Sequence, residues 1–143
     1  MRQATRQLRN RRRSHDRKGA AVVEFALIAP LMILLTMGMM EIGRMVMVKQ
    51  LLINSSREGA RMAVLPGSTA TEVKSQITVE LEQASVSGAN IVITPADLSN
   101  APAGTSVTVE VSIEAAAISW IPKPAFSFAT TLRGSTTMRR ESL

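Results

Sequence analysis

The chain has 143 residues, a formal net charge of +6, three Phe, one Trp, no Tyr and no Cys. Without Cys there can be neither a disulfide nor a thiolate metal site, and the missing thiols permit an oxidising compartment without requiring one. The length allows one modest globular unit, and a smaller one where part of the chain sits in lipid.

The charge is lopsided. Residues 1–18 carry eight basic groups against Asp16, whereas the rest of the chain has nine basic and ten acidic residues. Spread over a folded face, such charge would suggest nucleic acid. Concentrated in front of an apolar run it is a topology signal instead, and no nucleic-acid partner is expected. The arm is almost devoid of apolar residues, so residues 1–19 read as a basic cytoplasmic leader that does not fold alone.

Residues 20–40 are apolar apart from Glu24 and Thr36, with Pro30 and Gly38 the only residues that trouble a helix. About 20 such residues cross a bilayer core. The downstream flank has only Arg44 and Lys49, so the positive-inside bias places the N-terminus in the cytoplasm and the remainder on the other side. A cleaved secretory signal fits poorly, because the apolar stretch exceeds the usual 7 to 15 or so residues and no small-x-small cleavage site follows it.

The helical pattern continues through "EIGRMVMVKQLLINSSREGARMAVL". There Met45, Val48, Leu52, Gly59 and Ala63 share one stripe, while Arg44, Asn54, Arg57, Glu58 and Arg61 fall mostly elsewhere. A helix over residues 20–65 is roughly 70 Å long, more than twice the hydrocarbon thickness. Its second half therefore stands in water with an apolar stripe that needs a cover. Gly38, Gly43 and Gly59 are small residues of the kind that permit close helix packing. Glu41 with Arg44, and Glu58 with Arg61, are spaced i and i+3 and can pair for a few tenths of a kcal/mol. Such pairs fix where the helix leaves the bilayer, meet charges on a neighbour, or simply line a solvated face; Arg57 and Arg61 share a face that can serve as a docking point. Pro66-Gly67 stops the helix.

Thr69-x-x-Glu72 has the form of a capping box, and Val73, Ile77, Leu81 and Ala84 mark one face of a short helix ending near Ser87-Gly88. The period then changes to two. "NIVITP" reads as a short strand; "SVTVEVSIE" turns Val107, Val109, Val111 and Ile113 inward against Thr108, Glu110, Ser112 and Glu114; and "FSFATTLRGSTTM" offers Phe126, Phe128, Thr130 and Leu132. "PADLSNAPAGT" and "WIPKP" are loops. The expected fold class is α+β: a long N-terminal helix, its first half transmembrane, packed with the short helix against a small antiparallel sheet, with residues 66–143 forming an extracytoplasmic head.

Enzymatic readings find little support. The single His, His15, lies in the leader, there is no Cys nucleophile, and Glu110 and Glu114 lie on the solvent face of one strand with no convergent partner. No cofactor or metal is expected.

Glu24 is the unusual residue, since a charge at the bilayer centre costs about 2.5–3.5 kcal/mol on insertion scales and usually has a partner. It lies only four residues inside the apolar run. In one reading it reaches the cytoplasmic interface or meets Lys18. In the other, a cut after Gly19 creates an amine on Ala20, and Glu24 neutralises such an amine on a neighbouring subunit displaced along the axis.

A basic leader, Gly19, and Glu24-Phe25 at the fifth and sixth positions after it resemble the prepilin processing site of type IV-related pilins. The wording "GAAVVEFALIAPLMILL", then "EIGR" and "NSSREGAR", resembles more closely the TadE-like proteins, minor pilins or pseudopilins of the tight-adherence (Tad, Flp) pilus machinery of bacteria. The resemblance covers about residues 17–65 and implies a pilin-like fold. It also implies cleavage between Gly19 and Ala20 by a membrane prepilin peptidase that recognises a motif including Phe25, with Glu24 assisting assembly. The implied partners are that peptidase, the major pilin and other minor pilins, the inner-membrane assembly platform and its ATPase, and the lipid bilayer. The alternative is an uncleaved, single-span membrane anchor whose head acts as a scaffold or binding module outside the cytoplasm.

Overall fold

A computed structural model describes the backbone of residues 2–119 and 130–140 and the side chains from residue 19 onward within those ranges. Helix α1 spans Arg2–Ala63. Its start corrects the expectation for the leader: residues 2–18 are helical. Lengthening an existing helix adds a hydrogen bond per residue without a new nucleation step, and Arg, Gln, Ala and Leu are good helix formers. The chain divides into two units, Met1–Met40 and Glu41–Leu143.

Among the described residues of the first unit the large apolar side chains stay exposed: Val22, Phe25, Leu27, Leu31, Ile33 and Leu35 are all more than half exposed, on a helix apolar enough to cross a membrane. Thr36 meets that environment by donating its hydroxyl to the Met32 carbonyl at 2.8 Å, which satisfies it within the helix.

The second unit contains the rest of α1, helices α2 (Ala70–Gln83) and α3 (Ala115–Ile118), and strands β1 (Asn90–Thr94), β2 (Ser106–Glu114) and β3 (Thr131–Arg139). The strands form an antiparallel sheet in the order β1-β2-β3. Val107, Val109, Val111 and Ile113 of β2 are buried, as their alternation requires, against Val48, Leu52, Ala60 and Ala63 of α1 and Val73, Ile77 and Leu81 of α2. The expected cover of one sheet face by both helices is thus present.

Local signals account for most element ends. After α1, Gly67 takes a positive φ of 83°, and the Ser68 hydroxyl turns back to the Met62 carbonyl at 2.6 Å, satisfying one of the orphan acceptors of the last turn. The capping box before α2 is formed: Thr69 Oγ1 accepts from the Glu72 amide at 3.3 Å and Glu72 Oε2 from the Thr69 amide at 3.2 Å.

The end of α2 differs from expectation, falling at Gln83 and not near Ser87-Gly88. The Val86 amide donates to Leu81 O at 2.8 Å and the Ser85 amide to Glu82 O at 2.9 Å, with Ser85 left-handed at φ 59°. This is a Schellman closure, and the burial of Val86 and Leu81 supplies its apolar contact.

The third strand also differs. It was expected to present Phe126, Phe128, Thr130 and Leu132; β3 begins at Thr131, and its inward positions, opposite those of β2, are Leu132, Gly134, Thr136 and Met138. Thr130 precedes the strand and is exposed, whereas Phe126, Phe128 and the WIPKP loop lie outside the described residues. The single turn α3, which the sequence did not suggest, follows β2 directly and buries Ala115 and Ile118.

Candidate functional site

The residues singled out in the sequence all lie on α1, and helical geometry sorts them by face. Gly19, Ala20, Glu24 and Phe25 occupy successive turns within the first unit and are exposed, with nothing within 4 Å of a Cβ built on Gly19. The Gly19–Ala20 peptide is therefore part of a helix with its outer surface open.

The "EIGR" block divides at the start of the second unit. Glu41 is only 5 % exposed. Arg44, half-buried, donates from Nε to the Ile118 carbonyl at 2.7 Å. That contact ties the beginning of this stretch of α1 to the turn that follows β2, using a charge-assisted bond to an otherwise unpaired helix-end acceptor. Ile42 and Gly43 face outward, and a Cβ at Gly43 would meet nothing within 4 Å. Gly43 therefore serves no packing contact among the described residues.

The "NSSREGAR" block divides in the same way. Asn54, Arg57, Glu58 and Arg61 are exposed, and no ion pair joins Glu58 to Arg61 among the described residues. Gly59 is buried against the head: a Cβ there would come within 2.5 Å of Ile77 Cδ1 and 3.3 Å of Val109 Cγ1. Of the three helix glycines expected to permit close packing, Gly59 is the one that does so inside the chain.

The inner face holds residues that the sequence reading passed over. Ser55 and Ser56 are both fully buried. Ser56 Oγ lies 2.8 Å from both the Ile53 carbonyl and Thr136 Oγ1, whereas Ser55 Oγ has no hydrogen-bond partner among the described residues. Opposite them, Gly134 lets β3 approach the α1 backbone at Leu52 and Ile53. Lys49 reaches the same strand through Nζ, donating to the Arg133 carbonyl. An isolated Gly inside a strand pattern is compatible with such an approach, but does not say which element comes close.

The sheet's outer face has the polar character expected of it. Thr108 and Thr137 share a hydrogen bond of 2.8 Å, and Arg133 lies 3.6 Å from Glu110 in an exposed pair of the kind worth a kcal/mol or so at most. Among the described residues no cluster of His, Asp and Glu could hold a metal ion.

These features define a class: an α+β protein with, among the described residues, one helix long and apolar enough to cross a membrane, lying within Gly19–Ala63, whose later turns are the packing spine of a small head. Residues 19–61 match the family model described as TadE-like protein, and over that segment the chain is similar to TadE-like proteins. The match takes in the apolar segment and the spine, and ends two residues before α1 does. No characterised relative and no solved structure matches the chain.

Proposed function

We propose that this protein is a minor pilin or pseudopilin that supports assembly of a Tad/Flp-type adhesion pilus. In this reading a single span holds it in the bacterial inner membrane, N-terminus in the cytoplasm and head outside. The observation that carries the proposal is the coincidence of the TadE-like match with a helix of two characters, apolar and largely exposed over residues 20–40 and built into a head from residue 41 on. Such a helix works by packing and not by chemistry: its bare part is held by lipid or by neighbouring helices, and its covered part positions the head.

Processing by a prepilin peptidase between Gly19 and Ala20 would remove the basic leader and leave an amine on Ala20. Glu24 then compensates such an amine on an adjacent pilin, so that two charges costly alone in lipid enter it as a pair. The peptidase, the major and other minor pilins and the inner-membrane platform are the partners of this reading.

The competing reading is an uncleaved anchor. It draws support from the continuity of α1 through the Gly19–Ala20 peptide, since proteolysis favours backbone that is not already hydrogen-bonded. Intact-mass analysis of the protein from membranes of cells containing the peptidase separates the two. A chain beginning at Ala20 supports the pilin reading; a chain retaining residues 1–19 overturns processing and leaves the anchor.

A further inference from the structure

The apolar run is shorter than it first looks. Between Glu24 and Glu41 lie 16 uncharged residues, about 24 Å of helix against a hydrocarbon core of about 30 Å. The next ionisable residue after Glu41 is Arg44, and the next after that is Lys49.

In the head, Glu41 and Arg44 are not presented to the outside. Glu41 is buried, and Arg44 is half-buried with its Nε on the Ile118 carbonyl. The outer face of the same two turns carries Ile42, Val46 and Met47, exposed by 56, 56 and 68 %. No charged side chain stands on that face before Lys49, which is itself drawn onto the Arg133 carbonyl.

We infer that the bilayer covers the Ile42, Val46 and Met47 face of α1, so that the head is seated at the outer membrane interface and does not stand clear of it. The inference rests on the membrane-spanning part of the proposed function. Residues 25–48 amount to 24 positions, about 36 Å, which spans the core with the last turn at headgroup level. The head makes this possible by taking the two charges onto its own side, where they no longer oppose insertion. Lipid is the occupant the surface favours. The face is apolar as far as Lys49 and Gln50, and it follows directly in sequence an apolar stretch already too long to leave in water. A mismatch of several Å would otherwise require thinning of the bilayer.

The absence of Cys allows a direct test with single-cysteine variants of the full chain. Met37→Cys, Val46→Cys, Met47→Cys and Arg57→Cys, each carrying a nitroxide, are reconstituted in phosphatidylcholine–phosphatidylglycerol vesicles. Collisions are then measured with oxygen, which partitions into lipid, and with a water-soluble nickel chelate. The oxygen-to-nickel ratio at positions 46 and 47 should approach that at 37 and exceed that at 57 by about tenfold. Nickel-accessible labels at 46 and 47 beside a lipid-exposed label at 37 would overturn the inference while leaving the span intact. Labels at 46 and 47 shielded from both reagents would also overturn it, by showing a protein occupant such as a second copy. A nickel-accessible label at 37 would remove the membrane reading itself.

Discussion

Gly134 and Leu52 meet backbone to backbone: a Cβ added to Gly134 would lie 2.4 Å from both the carbonyl carbon and the carbonyl oxygen of Leu52. No rotamer change can relieve such an overlap, because the obstructing atoms belong to the main chain of a helix whose Leu52 side chain is itself fully buried. Gly134 therefore sets the distance at which β3 crosses α1.

Gly134→Ala should accordingly destabilise the head by about 3 kcal/mol, the upper part of the range for overpacking. Gly43→Ala, with nothing within 4 Å of the new methyl, should be neutral or stabilising by up to about 1 kcal/mol through helix propensity. Gly59→Ala should fall between them, since the methyl meets the movable end of Ile77. Urea unfolding of the full-length variants in detergent micelles, followed by circular dichroism, reads all three. Equal midpoints for Gly134→Ala and Gly43→Ala would show that the crossing is not tight.

The contrast among these glycines also shows what a sequence can carry. The capping box at Thr69 and the alternation of Val107, Val109, Val111 and Ile113 depend on residues close together in the chain, and both stand where the pattern put them. The inward set of β3 depends on a helix some 80 residues earlier, and nothing local to "LRGSTTM" reports that distance. From their i, i+3 spacing Glu41 and Arg44 were expected to fix the helix exit, meet charges on a neighbour or line a solvated face. Their turn toward the head follows from Val48 and Leu52 sharing the inward stripe, which drags the preceding turn inward with it. The apolar face of α2 at Val73, Ile77 and Leu81 was legible because its periodicity is intrinsic to one helix.

Ser85 occupies the left-handed position that closes α2, at φ 59°. For a residue with a Cβ this conformation costs roughly 1–2 kcal/mol, and glycine is nearly free of the penalty. Ser85→Gly should stabilise the head by up to about 1 kcal/mol, part of the gain being lost to the greater freedom of glycine in the unfolded chain. The expected readout is a rise in the thermal midpoint of a few degrees. A fall would mean that the Ser85 hydroxyl makes a contribution that its backbone conformation does not reveal.

Asp97, in the loop between β1 and β2, accepts from the Ser99 hydroxyl and from Asn100 Nδ2, the latter at 2.7 Å, and from the amides of Ser99 and Asn100 at 3.0 and 3.4 Å. The Ser99 hydroxyl first, then the Asn100 side chain, hold its carboxyl below the ordinary carboxylate range, against a weak opposing effect of desolvation. Because the folded carboxyl is the more acidic, its contribution to stability is complete above the unfolded pKa and is lost as pH falls through the folded one. The midpoint difference between wild type and Asp97→Asn should therefore be present at neutral pH and shrink below about pH 4. A difference independent of pH would show that ionisation of Asp97 is not what orders the loop.

Glu24→Gln keeps the shape of the side chain and removes its charge. If Glu24 meets the Ala20 amine of a neighbouring pilin, the variant should insert into membranes and be processed as wild type is, yet yield far fewer pili on sheared-cell blots and by electron microscopy. Gly19→Leu should do the reverse, keeping membrane topology while the leader persists. Normal piliation in both variants would remove charge pairing and processing from the account together.

Ser55 and Ser56 are adjacent, both buried, and predicted to respond in opposite directions. Ser56 Oγ has two partners at 2.8 Å, one of them Thr136 Oγ1 on β3. Ser56→Ala leaves the Thr136 hydroxyl without that partner and should cost about 1–2 kcal/mol. A cycle with Thr136→Val should give a coupling of about 1 kcal/mol, since the second substitution has less left to remove. Ser55 Oγ has no partner among the described residues, so it suffers desolvation without compensation there. Ser55→Ala should then be neutral or stabilising by up to about 1 kcal/mol, helped by the higher helix propensity of Ala. Comparable losses for both serines in urea unfolding would show that the Ser55 hydroxyl is not left unsatisfied in the folded head.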